Sequence, residues 1–224
     1  STTKDKWILF IKIMIPVLIT QVGMFAMNFF DTMMSGNYSA SDLAGVAIGS
    51  SIWVPVQTGL TGILIAITPI VSQLVGSKKT KNVPYSVIQG MYLAFILAIV
   101  VLLIGAVVIN PILSNMSLEP AVRLIAHDYL VALAWGIIPL FFFNVLRSFI
   151  DALGQTRVSM FITLAALPIN VLFNYLFIFG KFGFPELGGV GSGVATAITY
   201  WLIFIASTIV VMKTHPFSTY MIFK

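Results

Sequence analysis

Six stretches of this chain are each apolar over more residues than a helix needs to cross a bilayer, and that leaves few folds open. They run over approximately 7–34, 43–75, 84–109, 121–150, 158–180 and 189–212, against the roughly 20 residues required of a spanning helix. In hydrocarbon every backbone N–H and C=O must find its partner inside the segment, so runs of this length read as helices. The expected fold is therefore all-α, a polytopic membrane protein built as a six-transmembrane-helix bundle. With 59% hydrophobic and only 8% charged residues in 224, little is left for a soluble domain. Residues 1–224 are read as one six-span transmembrane lobe.

The links between spans carry turn chemistry: SGNYSASD, GSKKTKN, NPILSNMSLEP, DALGQTR and GKFGFPEL. Orientation follows from the basic residues. Lys4 and Lys6 precede span one, Lys78, Lys79 and Lys81 lie in the second link, Arg147 and Arg157 flank the fourth, and Lys213 and Lys224 follow span six. The first link has none, the third only neighbouring Arg123, and the fifth only Lys181. Basic residues favour the cytoplasmic side, so both termini are expected there, in a multi-pass protein of the plasma membrane. A net charge of +5 spread between apolar runs in this way argues for orientation rather than for nucleic acid, which is not expected as a partner. Cysteine is absent, which removes disulfides and thiolate metal sites. STTKDKWILF has no cleavage pattern, so no signal peptide is expected and its apolar run opens span one. Asn37-Tyr38-Ser39 and Asn115-Met116-Ser117 match the glycosylation triplet, a pattern too common to weigh. No short tandem repeat is present, but many transporters join two six-span halves, and the chain stops just after span six. It is expected to be half of a longer protein.

An acidic residue inside a span needs a reason, since placing it near the bilayer centre costs about 2.5 to 3.5 kcal/mol on insertion scales. Asp31 is the clearest case, and helical steps back from it put Asn28, Met24 and Gln21 on the same stripe. The bland alternative places Asp31 at the headgroup level or at the following turn. Span five offers Asn170 and Asn174 on one face; each alone reads as interhelical glue. Depth argues for more. Asn174 lies roughly 9 Å below the outer end of its span and Thr196 roughly 10 Å below the outer end of span six, at about 1.5 Å per residue. A carboxylate, two amides and a hydroxyl in one leaflet suit a hard cation such as sodium, with Asp31, Asn170, Asn174 and Thr196 as its expected ligands, or a proton held on Asp31. Asp128 either joins this network or pairs with Arg123, the second being favoured. Arg147 and Asp151 near the inner end of span four read as interfacial or gate residues, with Arg147 free to snorkel.

Pro16, Pro55, Pro69, Pro139 and Pro168 lie inside spans, where each removes a backbone hydrogen bond. Pro16, fifteen residues before Asp31, is the expected hinge. Gly45/Gly49 and Gly189/Gly193 have the spacing of close helix packing. Of ten methionines, most are expected in the core, though those of span one would suit an adaptable cavity. No G-x-x-x-x-G-K-[ST], H-E-x-x-H or G-x-S-x-G occurs, so neither enzymatic activity nor an organic cofactor is expected.

With NFFDTMMSG and SASDLAGVAIG, ITPIVSQLVGSKK, LRSFIDALGQTRVSMF and LPINVLFNYLFIFG leading into GGVGSGVATAITY, essentially the whole chain resembles the amino-terminal half of the multidrug and toxic compound extrusion (MATE) transporters. The resemblance implies twelve spans in two lobes around a central cleft, of which this chain is one lobe and a carboxy-terminal six-span lobe the other. It matches Asp31 to the family's first-span acid, Pro16 to its kink proline, Asn170 and Asn174 to its fifth-span polar pair, and Thr196 to its sixth-span hydroxyl, residues implicated in cation or proton binding. Where some branches have Asp, this chain has Asn174, which leaves sodium or proton coupling open. The implied function is antiport of amphipathic organic cations or drugs against Na+ or H+, with Asp31 binding the coupling ion and span one repacking near Pro16. The rivals are a lipid-linked precursor flippase of the same superfamily, which needs a cationic cavity, and a non-transporting membrane scaffold subunit.

Overall fold

In the structure, a computed structural model that describes residues 2–223, every apolar run is helical and two of the six spans are broken. Helix α1 (Thr3–Tyr38) starts on a capping box in which Thr2 accepts from the Asp5 N–H and Asp5 accepts in return from the Thr2 N–H. Ser39 caps α2 (Ala40–Ile65) by accepting from the Asp42 N–H at 3.0 Å. One residue later α3 (Ile67–Gly76) continues the same span. Helix α4 (Val83–Asn115) carries Pro84 in its first turn, where no N–H is missed. Helices α5 (Pro120–Ala134) and α6 (Ile137–Ala152) form span four and meet at 51°. Helix α7 (Thr156–Phe179) ends at Gly180, whose φ of +66° suits a residue without Cβ. Helix α8 (Gly189–Lys213) closes the bundle.

Both breaks follow from prolines four residues downstream. Pro69 cannot donate to the Ile65 carbonyl, and α2 stops at Ile65; Pro139 cannot donate to the Trp135 carbonyl, and the bend falls at Trp135 and Gly136. The carbonyl freed at Trp135 accepts instead from the Trp201 indole N–H at 2.9 Å, as an orphaned backbone group in an apolar medium must. Pro16, by contrast, sits inside the unbroken α1. Among the described residues five helices are long and apolar enough to cross a bilayer, and six spans result when the bent α5–α6 pair counts as one.

Polarity runs inside out. Lipid-facing positions such as Leu103 and Val107 are 64% and 73% exposed, while Asp31, Asn170, Asn174 and Thr196 are fully buried. The hub is α8, which touches α1, α2, α5, α6 and α7. Its sequence explains how: Gly191 and Gly193 press so closely on neighbouring backbones that an added Cβ would lie 2.3 Å from the Phe177 carbonyl oxygen and 2.7 Å from that of Tyr129. Gly45 and Gly49 of α2 lie as close to the side chains of Ile125 and Tyr129 of α5.

Candidate cation site

Four helices deliver one polar cluster. Asp31 comes from α1, two turns before its end; Asn170 and Asn174 come from successive turns of α7, Thr196 from α8 and Tyr129 from α5. The Asp31 carboxylate accepts from the Thr196 hydroxyl at 2.6 Å, from Asn174 Nδ2 at 3.1 Å and from the Tyr129 hydroxyl at 3.3 Å. Asn170 Nδ2 donates to Thr196 Oγ1 at 3.0 Å, and Asn174 Nδ2 is 3.4 Å from Asn170 Oδ1. Among the described residues no Lys, Arg or His pairs with Asp31. Its charge is held by neutral donors alone.

One acceptor in the cluster is left over. Asn174 Oδ1 is buried and without a hydrogen-bond partner, a condition few buried side-chain oxygens tolerate. With the Asp31 oxygens, Asn170 Oδ1 and Thr196 Oγ1 it completes an all-oxygen donor set of the kind hard cations take. Among the described residues no three His, Cys, Asp or Glu side chains converge. One carboxylate among neutral oxygens fits a single positive charge, Na+ or H+, better than a divalent ion.

The remaining candidates separate. Asn28, one turn before Asp31, is buried with neither amide atom bonded, so it stays with the cluster's surroundings. Met24 is a buried core residue, and of its neighbours in α1, Met27 is buried while Met33 faces outward. Gln21 belongs elsewhere, accepting from Arg147 at 3.2 Å through its Oε1. Asp128 is neither in the network nor paired with Arg123. Helix α5 turns Val122, Ala126, Tyr129 and Leu133 inward, which points residue 128 out; Asp128 meets His127 Nδ1 at 3.0 Å and borders a shallow groove of about 450 Å³ between α5 and α8, while Arg123 donates to Ser114 at 2.8 Å. Arg147 does not snorkel. It is 1% exposed, 3.6 Å from Asp151, which also accepts from Ser159 at 2.9 Å. It lies deep because neighbouring helices cover the whole end of α6. Pro16 is buried and its carbonyl accepts from Thr20 at 2.9 Å.

Tyr129 is the member that sequence reasoning missed. A tyrosine in a span reads as an interfacial ring. The signal available was the glycine spacing, because Gly49 and Gly193 both make room for Tyr129.

The MatE family profile matches residues 16–176. The chain belongs to the MatE family. Over all 224 residues it is 58% identical to a probable multidrug resistance protein NorM of Halalkalibacterium halodurans, covering 49% of that protein. It is 56% identical to one from Bacillus subtilis over 211 residues, 94% of this chain and 47% of the relative. The chain thus spans about half the length of the curated relatives it matches, which fits the half-transporter that the sequence resembles. A eukaryotic MATE transporter structure superposes with a TM-score of 0.88 at 19% identity, over 96% of this chain and 47% of that one. A MATE structure in a bent conformation gives 0.84 at 16% identity, over 93% and 46%. The all-helical MATE-type bundle expected from the sequence is borne out, and the chain is a multi-pass membrane protein.

Proposed function

We propose that the chain is the amino-terminal lobe of a two-lobe secondary active exporter, and that Asp31, Asn170, Asn174 and Thr196 hold its coupling ion, Na+ or H+. The observation that carries this is Asp31 itself: a fully buried carboxylate that three neutral donors hold and no cation neutralises, beside a free amide oxygen. Such a site accepts one positive charge reversibly, because the carboxylate is already oriented and the ligand need only replace or join neutral donors. Sodium and a proton compete for the same oxygens, so occupancy follows the ion gradient.

Export follows by alternating access. Ion binding draws α1, α7 and α8 together at Asp31 and changes the packing of α1 near Pro16, and the altered cleft between the lobes releases an amphipathic organic cation outward. Basic links place both termini in the cytoplasm and the Asp31 cluster in the outer leaflet of the plasma membrane. The partners are the lipid bilayer, the carboxy-terminal six-span lobe and the drug. A flippase would need an unpaired cationic cavity, and Arg147, the buried cation among the described residues, is paired with Asp151.

The test uses the complete two-lobe protein in liposomes, following ethidium efflux under an imposed Na+ or H+ gradient. Asp31→Asn is expected to lose the gradient-driven component while still binding ethidium. Wild-type gradient response in the variant would sink the assignment, and the gradient that drives the wild type names the ion.

A further inference from the structure

Beyond the Asp31 cluster the lobe buries a second set of polar atoms, four of which have no hydrogen-bond partner. Ser50, Trp53, Gln57 and Thr61 follow one another at spacings of three and four residues on the buried face of α2. That face meets three other helices. The Ser50 hydroxyl lies 3.4 Å from that of Tyr129, Thr61 accepts from Asn144 Nδ2 at 3.1 Å, and the Tyr200 hydroxyl lies beside Trp53 and Gln57. Yet Trp53 Nε1, Gln57 Oε1 and the Tyr200 hydroxyl, although they converge, close no direct hydrogen bond of good geometry, and Asn144 Oδ1 has no partner. None of these four residues is more than 4% exposed.

Isolated orphans of this kind are rare in any interior, and rarer where the surroundings are hydrocarbon. Four around one face of α2, two on it and one each from α6 and α8, an N–H donor among carbonyl and hydroxyl oxygens, match what a file of water molecules requires, since each water both donates and accepts. The stripe also has two defined ends. At one, Tyr129 bonds to Asp31. At the other, eleven residues and roughly 16 Å further along α2, Asn144 lies one turn from Arg147, where Arg147 and Asp151 pair.

We infer that this stripe is a buried water-filled track through the lobe, and that Asp31 exchanges protons with the basic end of the bundle along it. The route rests on the assignment of Asp31 as the coupling site. A proton arriving at Asn144 joins the nearest water, which releases one of its own to the next; the last water passes a proton to the Asp31 carboxylate, leaving a carboxylic acid. Each water gains one proton and loses one, so Ser50, Trp53, Gln57 and Thr61 keep their charge states. The groups that face the track and titrate are Asp31, Tyr129 and Tyr200, with Arg147 and Asp151 at its mouth.

Two measurements on the complete two-lobe protein test this. Hydroxyl-radical footprinting in nanodiscs labels side chains next to water. Trp53 and Tyr200 are expected to oxidise at least ~10-fold faster than the equally buried Phe141 and Phe143, after correction for ring reactivity, and Gln57→Leu to suppress that labelling. In oriented proteoliposomes after a pH jump, Gln57→Leu is expected to slow Asp31-dependent proton uptake from the basic side about 10-fold, leave the opposite side unchanged, and be rescued by Gln57→Asn. A merely structural Gln57 would not produce that asymmetry. Unlabelled Trp53, or wild-type uptake from both faces in Gln57→Leu, overturns the inference. Gradient-driven efflux that survives Asp31→Asn while Trp53 remains labelled overturns the route through failure of the coupling site, a result distinct from a dry track.

Discussion

Two buried polar clusters share the same two helices and behave oppositely. Asp31 and Gln21 both lie on α1, ten residues or roughly 15 Å apart; Asn174 and Ser159 both lie on α7. At Asp31 a carboxylate receives three neutral donors and an amide oxygen is left over. At Gln21 the opposite charges of Arg147 and Asp151 face each other at 3.6 Å, with Gln21 accepting from Arg147 and Ser159 donating to Asp151, although Arg147 Nε itself makes no hydrogen bond. Buried charge is expensive in both places, but only one cluster is electrically incomplete. Burial of a charged residue in a span therefore does not by itself mark an ion site; missing compensation does.

The comparison breaks most readily at Asp31. Asp31→Asn keeps the shape and removes an unpaired buried charge, although one acceptor oxygen becomes an NH2 donor, so its melting temperature in detergent is expected to match or exceed wild type while gradient-driven transport disappears; a large loss of stability would mean that Asp31 is a structural residue like Arg147. At the other cluster the pattern is expected to invert. Arg147→Met leaves Asp151 buried and unpaired, which costs about 3–5 kcal/mol in unfolding measurements, and Arg147→Met with Asp151→Leu recovers most of that loss. Failure of the double variant to recover would assign Arg147 a role beyond its pair.

Smaller effects grade the donors around Asp31. Thr196→Val removes the shortest of the three hydrogen bonds to the carboxylate and is expected to change coupling-ion affinity by about 1.5–3 kcal/mol, the value of a hydrogen bond to a charged group: Na+ binds more weakly, having lost a ligand oxygen, whereas H+ binds more tightly, because the charged carboxylate has lost a donor; the apparent affinity from ion titrations of efflux reads the sign directly. Tyr129→Phe removes the longest and is expected to change that affinity by about 1 kcal/mol or less. An equal response from Thr196 and Tyr129 would show that the distances do not rank the donors.

Much of this was legible in the sequence because lipid makes hydropathy and depth strict guides. Asp31, Asn170, Asn174 and Thr196 were found by counting residues from the ends of their spans, a count that survives since α1, α7 and α8 run unbroken past them. Rotation about the helix axis was harder. Asp128, expected to pair with Arg123 or else to join the cluster, does neither, because the inward face of the short α5 is Val122, Ala126, Tyr129 and Leu133 and Arg123 turns to Ser114 instead. Arg147 was misplaced for a different reason: snorkelling assumes that the end of a helix meets headgroups, whereas this end of α6 is enclosed by neighbouring helices. The break at Ala66 and the bend at Gly136 were implicit in Pro69 and Pro139, but the prolines of intact helices look the same in sequence.

The break at Gly136 gives span four the geometry of a lever. Its pivot is pressed onto α8 so tightly that an added Cβ would lie 2.8 Å from the Ala197 Cα, which makes α8 the fulcrum. Tyr129 lies seven residues to one side, roughly 10 Å, and Arg147 eleven to the other, roughly 16 Å. While the 51° angle holds, a swing of α5 at the Asp31 end reappears at the Arg147 end enlarged by about the ratio of those arms. If Asp31 binds an ion as proposed, a sub-ångström adjustment around it would be geared up before it reached the far mouth of the lobe.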